Sequence, residues 1–208
     1  LENITLLPPD EKKFKTFYDD ALEDAFTTES FMVFKYMVDE NRPVTEFLSA
    51  NYTFINNDLA KHYGLDKVDK YDFKKVTLKD PSRGGLLTQG AVLTSTSNGI
   101  ETSPVLRGIW VLQNILGLKK PDPPPNVPAI AVDTRGTRTL RKQLIATTTR
   151  RTRASCHRPI DPLRFAPENS NPTGARRAKY EYNHRVAPPL PPPLLHTAPP
   201  PLTPTPPP

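Results

Sequence analysis

The chain has 208 residues, of which 36% are hydrophobic and 26 are proline, and 12 of those prolines lie after position 186. That length allows one or two domains with a real core, and the prolines confine the core-forming part to positions before about 187. The net charge of +6 divides unevenly: residues 1–133 hold 15 Lys/Arg against 19 Asp/Glu, a net −4, and residues 134–208 hold 13 against 3, a net +10.

The basic part lacks aromatic interleaving and any helical stripe. It reads as a solvated basic segment, with no strong nucleic-acid signal. One cysteine excludes an internal disulfide framework. No run of about 18 apolar residues is present, so no membrane span is expected. The chain opens Leu1-Glu2-Asn3-Ile4, without a signal peptide or an initiator methionine, and reads as the middle of something longer.

Pro8-Pro9 stops any helix before it, and Asp10-Glu11 favours a start just after. From Lys12 to Glu40 the pattern is helical. Phe14, Tyr18, Leu22, Ala25 and Phe26 recur at three- and four-residue steps. A break at Thr27-Thr28 then leads into a second run, capped by Ser30 and carrying Phe31, Phe34, Met37 and Val38. Asn41-Arg42-Pro43 ends it. Val44 to Ala50 reads as a short helix with Phe47 and Leu48 inward. Ile55 to Tyr63 reads as another, closed by Gly64, with Tyr52, Phe54, Leu59 and Tyr63 as its packing face. His62 falls here and is read as a surface or core-edge residue. Lys67 to Lys79 alternates weakly, as a short strand or an extended connector would.

Asp80-Pro81-Ser82 is turn material and marks a domain boundary. In Arg83-Gly84-Gly85-Leu86-Leu87-Thr88-Gln89-Gly90 the paired glycines lack the residues of a phosphate loop, so the stretch predicts a tight turn into a short helix. Ser95 to Gly99 is a polar loop. Ser103 as N-cap and Pro104 at N1 open the cleanest helix, with Val105, Ile109, Val111, Leu112, Ile115 and Leu116 apolar and Trp110 beside them. Gly117 ends it. Pro121 to Pro128 is a polyproline spacer, and Thr139 to Thr147 is a weaker helix. After His184 periodicity disappears. The P-x-x-P spacings there resemble ligands of aromatic-lined grooves, but are common in proline-rich tails.

The chemistry-bearing stretch is Arg153-Ala154-Ser155-Cys156-His157. A Cys-His pair that ends a C-x-x-C-H run is the attachment site of a c-type haem. Here Arg153 stands where the first cysteine would be. An ordinary thiol beside a surface histidine explains the pair equally simply. A cysteine nucleophile with His157 as its base is weaker, because adjacent residues seldom reach that geometry. Zinc is weaker still, with one cysteine and scattered histidines.

Longer strings carry a resemblance. Ala50-Asn51-Tyr52-Thr53-Phe54-Ile55-Asn56 through His62-Tyr63-Gly64, then Arg83 to Gln89, Leu93 to Gly99, Thr102 to Leu112, Asn114 to Gly117, Pro123 to Pro128 and Asp133 to Gly136, resemble a large planctomycete family. Its members are exported, cytochrome-c-like proteins built from domains of unknown function. The resemblance implies two consecutive domains, the second closing in a Cys-x-x-Cys-His-like segment. His157, Ile160, Asp161, Pro162, Phe165, Glu168, Asn169, Pro172 and Gly174 fit that closing pattern. Arg153, Arg164, Pro167, Ser170 and Asn171 depart from it, so the chain reads as an N-terminally incomplete piece with a degraded C-terminal part.

The expected fold is mainly α. Two small helical units cover 1–80 and 81–186, with at most a short strand pair near 70–80, and 187–208 forms a disordered proline-rich tail. The Trp110 helix is expected to be the most buried element of the second unit. The resemblance further implies haem c held by a single thioether at Cys156, with His157 as axial ligand to the iron. Neither Met32 nor Met37 lies in that unit as a sixth ligand, and His184 qualifies by sequence only. An extracytoplasmic, periplasmic location and a redox partner are implied in the same way. The alternative is a helical structural or interaction module whose haem site is lost. No substrate or reaction is assigned.

Overall fold

In a computed structural model, the chain is described over residues 8–68, 72–119 and 169–177. The elements in order are α1 (Lys15–Asp19), α2 (Leu22–Asp39), α3 (Glu46–Ser49), β1 (Tyr52–Ile55), α4 (Asn57–Tyr63), β2 (Lys74–Thr77), a 3-10 turn (Leu86–Thr88), α5 (Gly90–Ser95) and α6 (Pro104–Asn114). Helices dominate, and the two strands form one antiparallel sheet.

The first helical stretch breaks earlier than its sequence predicts. The interruption falls at Asp20-Ala21, where Ala21 takes a left-handed conformation at φ 48°. Thr27 and Thr28 stay helical, and Ser30 sits inside α2, donating to Gln89 Oε1 at 2.8 Å instead of capping. Continuity has a consequence for phase. Once Leu22, Ala25 and Phe26 face the core, a period of 3.6 residues also carries Glu29, Val33 and Met37 inward. Phe31, Phe34 and Val38 are therefore turned out, at 63%, 53% and 62% exposed.

Two further expectations are corrected. The segment expected to enter its helix at Ile55 is a strand up to that residue. Asn56 then caps α4, its Oδ1 accepting the Leu59 N–H at 2.9 Å, and Gly64 closes α4 at φ 69°. Tyr52 and Phe54 consequently pack as strand residues against Tyr36 of α2, with ring centroids 5.2 and 5.7 Å away. Second, β2 does not pair within residues 70–80. Its partner is β1, in the register Tyr52↔Thr77, Thr53↔Val76, Phe54↔Lys75 and Ile55↔Lys74. α3 is shorter than expected, and Leu48 on it is exposed.

Asp80 forms the predicted turn, its carboxylate accepting the Ser82 N–H at 2.8 Å. Chain on both sides of that turn enters one core. Phe17, Leu22, Ala25, Phe26, Ile55, Leu59, Ala60 and Tyr63 come from before it, and Ala91 from after. The most buried helix beyond the turn is α5 and not the Trp110 helix. Gly90 to Thr94 are all buried, while Trp110 on α6 is only half-buried. The reason is side-chain size. The ring of Phe26 occupies the space a Cβ on Gly90 would need, at 2.2 Å, so α5 enters the core backbone-first. Bulkier α6 buries Pro104, Arg107, Gly108, Val111 and Leu112 and leaves Leu106 exposed. Its predicted start is present: Ser103 Oγ accepts the Leu106 N–H at 3.4 Å, with Pro104 at the first turn.

The polyproline spacer, the 139–147 helix and the C-terminal tail lie outside the described residues.

Candidate functional site

The chemistry among the described residues gathers around one buried carboxyl. Glu29 is 1% exposed, on the inward stripe of α2. Its Oε1 accepts from Thr53 Oγ1 of β1 at 2.5 Å, and its Oε2 accepts from the Tyr63 hydroxyl of α4 at 2.7 Å. That hydroxyl in turn accepts the N–H of Gly90 at 2.7 Å. One chain of hydrogen bonds thus joins α2, β1, α4 and the start of α5. Burial pushes the Glu29 carboxyl up from 4.5 to about 7, against the two hydroxyl donors, the Arg83 charge and the Gly90 N–H, which pull it down. Burial, and then the Glu29 charge, hold the Tyr63 phenol well above 10.

Arg83 and His62 extend this network. The Arg83 guanidinium lies 3.8 Å from the centre of the Tyr63 ring, as a cation–π partner. Its Nη1 donates to the Thr88 carbonyl at 2.9 Å and its Nη2 to the Gly174 carbonyl at 2.5 Å. His62 Nε2 lies 2.7 Å from the Thr173 carbonyl and is therefore the protonated nitrogen. The imidazole also packs on Phe26, with ring centroids 5.6 Å apart. Burial lowers the His62 pKa below 6.5; Arg83 lowers it further, and the Thr173 carbonyl and Asp20 oppose.

The segment Asn169–Arg177 is thus held at consecutive carbonyls. Internally, Asn171 Oδ1 accepts the N–H groups of Thr173 and Ala175 at 3.0 and 2.9 Å. Externally, Arg176 pairs with Asp80, and Arg177 Nη2 donates to Thr102 Oγ1 at 2.8 Å. Beside the network runs a crevice between Glu29, Thr53, Arg83 and Gln89 with no room for a water-sized molecule. The arrangement can therefore hold protons and fix backbone.

Cys156 and His157, the residues expected to carry haem, lie outside the described residues, as do Arg153 and His184. Met32 and Met37 lie on α2, Met37 buried in its inward stripe. Among the described residues, no three His, Cys, Asp or Glu side chains gather to hold a metal ion, and no helix is long and apolar enough to cross a membrane. Glu29, Tyr63 and Arg83 carry no functional expectation from sequence. The available signal was Glu29 itself, a carboxylate in phase with Leu22, Ala25 and Phe26. His62, read as a surface or core-edge residue, is half-buried and holds a carbonyl from 111 residues further along.

Comparison with protein families finds two matches along the chain. Residues 1–65 match PSD4, a protein of unknown function (DUF1592), and residues 83–180 match PSCyt3, a protein of unknown function (DUF1588). No curated protein and no solved structure matches the chain. Glu29, Thr53, His62 and Tyr63 fall in the first matched region, and Arg83, Gly90, Thr173 and Gly174 in the second. The chain carries two consecutive domains of unknown function, DUF1592 followed by DUF1588, joined through the buried Glu29–Tyr63 network.

Proposed function

We propose that this chain is a module of an exported, cytochrome-c-like protein, with haem-linked electron transfer through Cys156 and His157. The observation that supports the reading is the match of residues 83–180, which spans Cys156-His157, directly after a match to the companion domain. The donor set fits a haem held through one bond to sulfur. Cys156 is the sole cysteine and Arg153 cannot form a thioether, so Cys156 would hold the group and the adjacent His157 imidazole would be the axial ligand. Bound haem would supply a one-electron couple. The reading places the protein outside the cytoplasm and implies a redox partner there.

The test is expression with haem-maturation machinery, followed by a visible spectrum and a haem-stained denaturing gel. A Soret band that stays with the chain, and is lost in Cys156→Ser, is the expected result. No covalent haem, even in Arg153→Cys, would overturn the assignment and leave a helical structural or interaction module.

A further inference from the structure

We infer that Asn169–Arg177 is an acid-releasable strap, with His62 as the group whose protonation lets it go. The strap lies 50 positions after Lys119 in the sequence and packs against residues of both matched regions. Two side chains from the body hold its centre. His62 Nε2 donates to the Thr173 carbonyl at 2.7 Å, and Arg83 Nη2 donates to the next carbonyl, of Gly174, at 2.5 Å. Gly174 also lies against α5: a Cβ there would come 3.0 Å from the Gly90 Cα. Thr173 is 2% exposed. Seating the strap therefore covers the Nε2 edge of His62 and leaves the residue half-buried.

The groups that face the imidazole decide the sign. Phe26 and Tyr63 contribute aromatic rings. The strap contributes the neutral Thr173 carbonyl. Arg83 contributes a fixed positive charge, and Asp20 a carboxylate that is already paired with Lys61 at 3.1 Å. Glu29 bonds the Tyr63 hydroxyl. A neutral imidazole suits this setting, because its Nε2–H satisfies the Thr173 carbonyl. An imidazolium keeps that bond but adds a second, desolvated positive charge beside Arg83. Lifting the strap returns the ring to water and to its ordinary affinity for a proton, so acid favours the lifted state. The other ionic tie of the strap, Arg176 to Asp80, does not compete in the same range. Hydrogen bonds to Ser82 are the first cause that keeps the Asp80 carboxyl below its usual 3.8.

The experiment is heteronuclear NMR on the full chain from pH 7.5 to 5. It follows the His62 ring carbons together with exchange protection of the Gly174 and Arg177 amides, corrected for intrinsic exchange. Below pH 6.5 the opening constant of the strap is expected to rise by up to about tenfold per pH unit, with the midpoint of the ring titration. His62→Gln retains an N–H donor for Thr173 without a titrating group, and its strap is expected to stay seated across the range. Three results would overturn the inference. One is a ring that titrates while the strap amides stay protected. Another is a ring that does not titrate above pH 5. The third is release in His62→Gln with the wild-type midpoint. The wild-type measurement decides by itself should His62→Gln fail to fold.

Discussion

Replacing Glu29 by Gln removes the one titrating side chain from the inward stripe of α2. In the folded chain its carboxyl titrates at about 7, chiefly because burial penalises the charge; in the unfolded chain it returns to about 4.5. Between those two values the folded state binds more protons than the unfolded one. Its contribution to stability is therefore fully present below pH 4.5 and is lost as pH rises through 7. At about 1.4 kcal/mol per pH unit, the interval corresponds to roughly 3 kcal/mol. His62 works in the opposite sense. Its folded pKa lies below 6.5, so its contribution is complete above that value and declines as pH falls. The wild-type profile mixes the two, and the difference between Glu29→Gln and wild type isolates the carboxyl. Urea unfolding at pH 4.5, 5.5, 6.5 and 8, followed by far-UV circular dichroism and the single tryptophan, supplies that difference. The variant should gain on wild type steadily, by roughly 3 kcal/mol between the two ends. A difference that is flat with pH, or that moves in favour of wild type as pH rises from 4.5 to 8, would refute the reasoning.

Gly90→Ala should be strongly destabilising, by at least about 2 kcal/mol, because its Cβ would sit 2.2 Å from the fully buried Phe26 ring. Adding Phe26→Leu should recover part of that loss, and a double-mutant cycle by chemical denaturation measures it. Asn56→Ala removes the cap on the Leu59 N–H and should cost about 1 kcal/mol in the same assay, with no change in its pH dependence. Arg83→Ala removes the bonds to the Thr88 and Gly174 carbonyls together with the contact on Tyr63. Faster hydrogen exchange in residues 169–177 than in α2 is the expected outcome, and a uniform loss of protection would count against a specific hold on that segment.

Local rules make much of the helical content legible in the amino-acid order. The Ser103-Pro104 start of α6, the Gly64 end of α4, the Asp80 turn and the short helix after the paired glycines follow from capping and turn chemistry. Each needs only the residues at hand. Phase along α2 was not legible, because it depends on whether Thr27-Thr28 interrupts the helix. Only packing of Leu22 and Phe26 into the core answers that, and the answer turns Glu29 in and Phe31 out. The sheet had the same difficulty. Tyr52–Ile55 and Lys74–Thr77 are four residues each, too short for a clear period, and each becomes a strand by pairing with the other.

The amino-acid order by itself determined the Asp80 turn, the capped helix ends and the Cys156-His157 pair that the proposed function rests on. Tertiary structure alone decided the buried network. Glu29, Tyr63, Arg83 and Thr173 are separated by up to 144 positions, and nothing in their local sequence relates them. A hydrogen bond at 2.7 Å forms only where the fold closes that separation, and burial then gives the carboxyl and the imidazole their altered proton affinities.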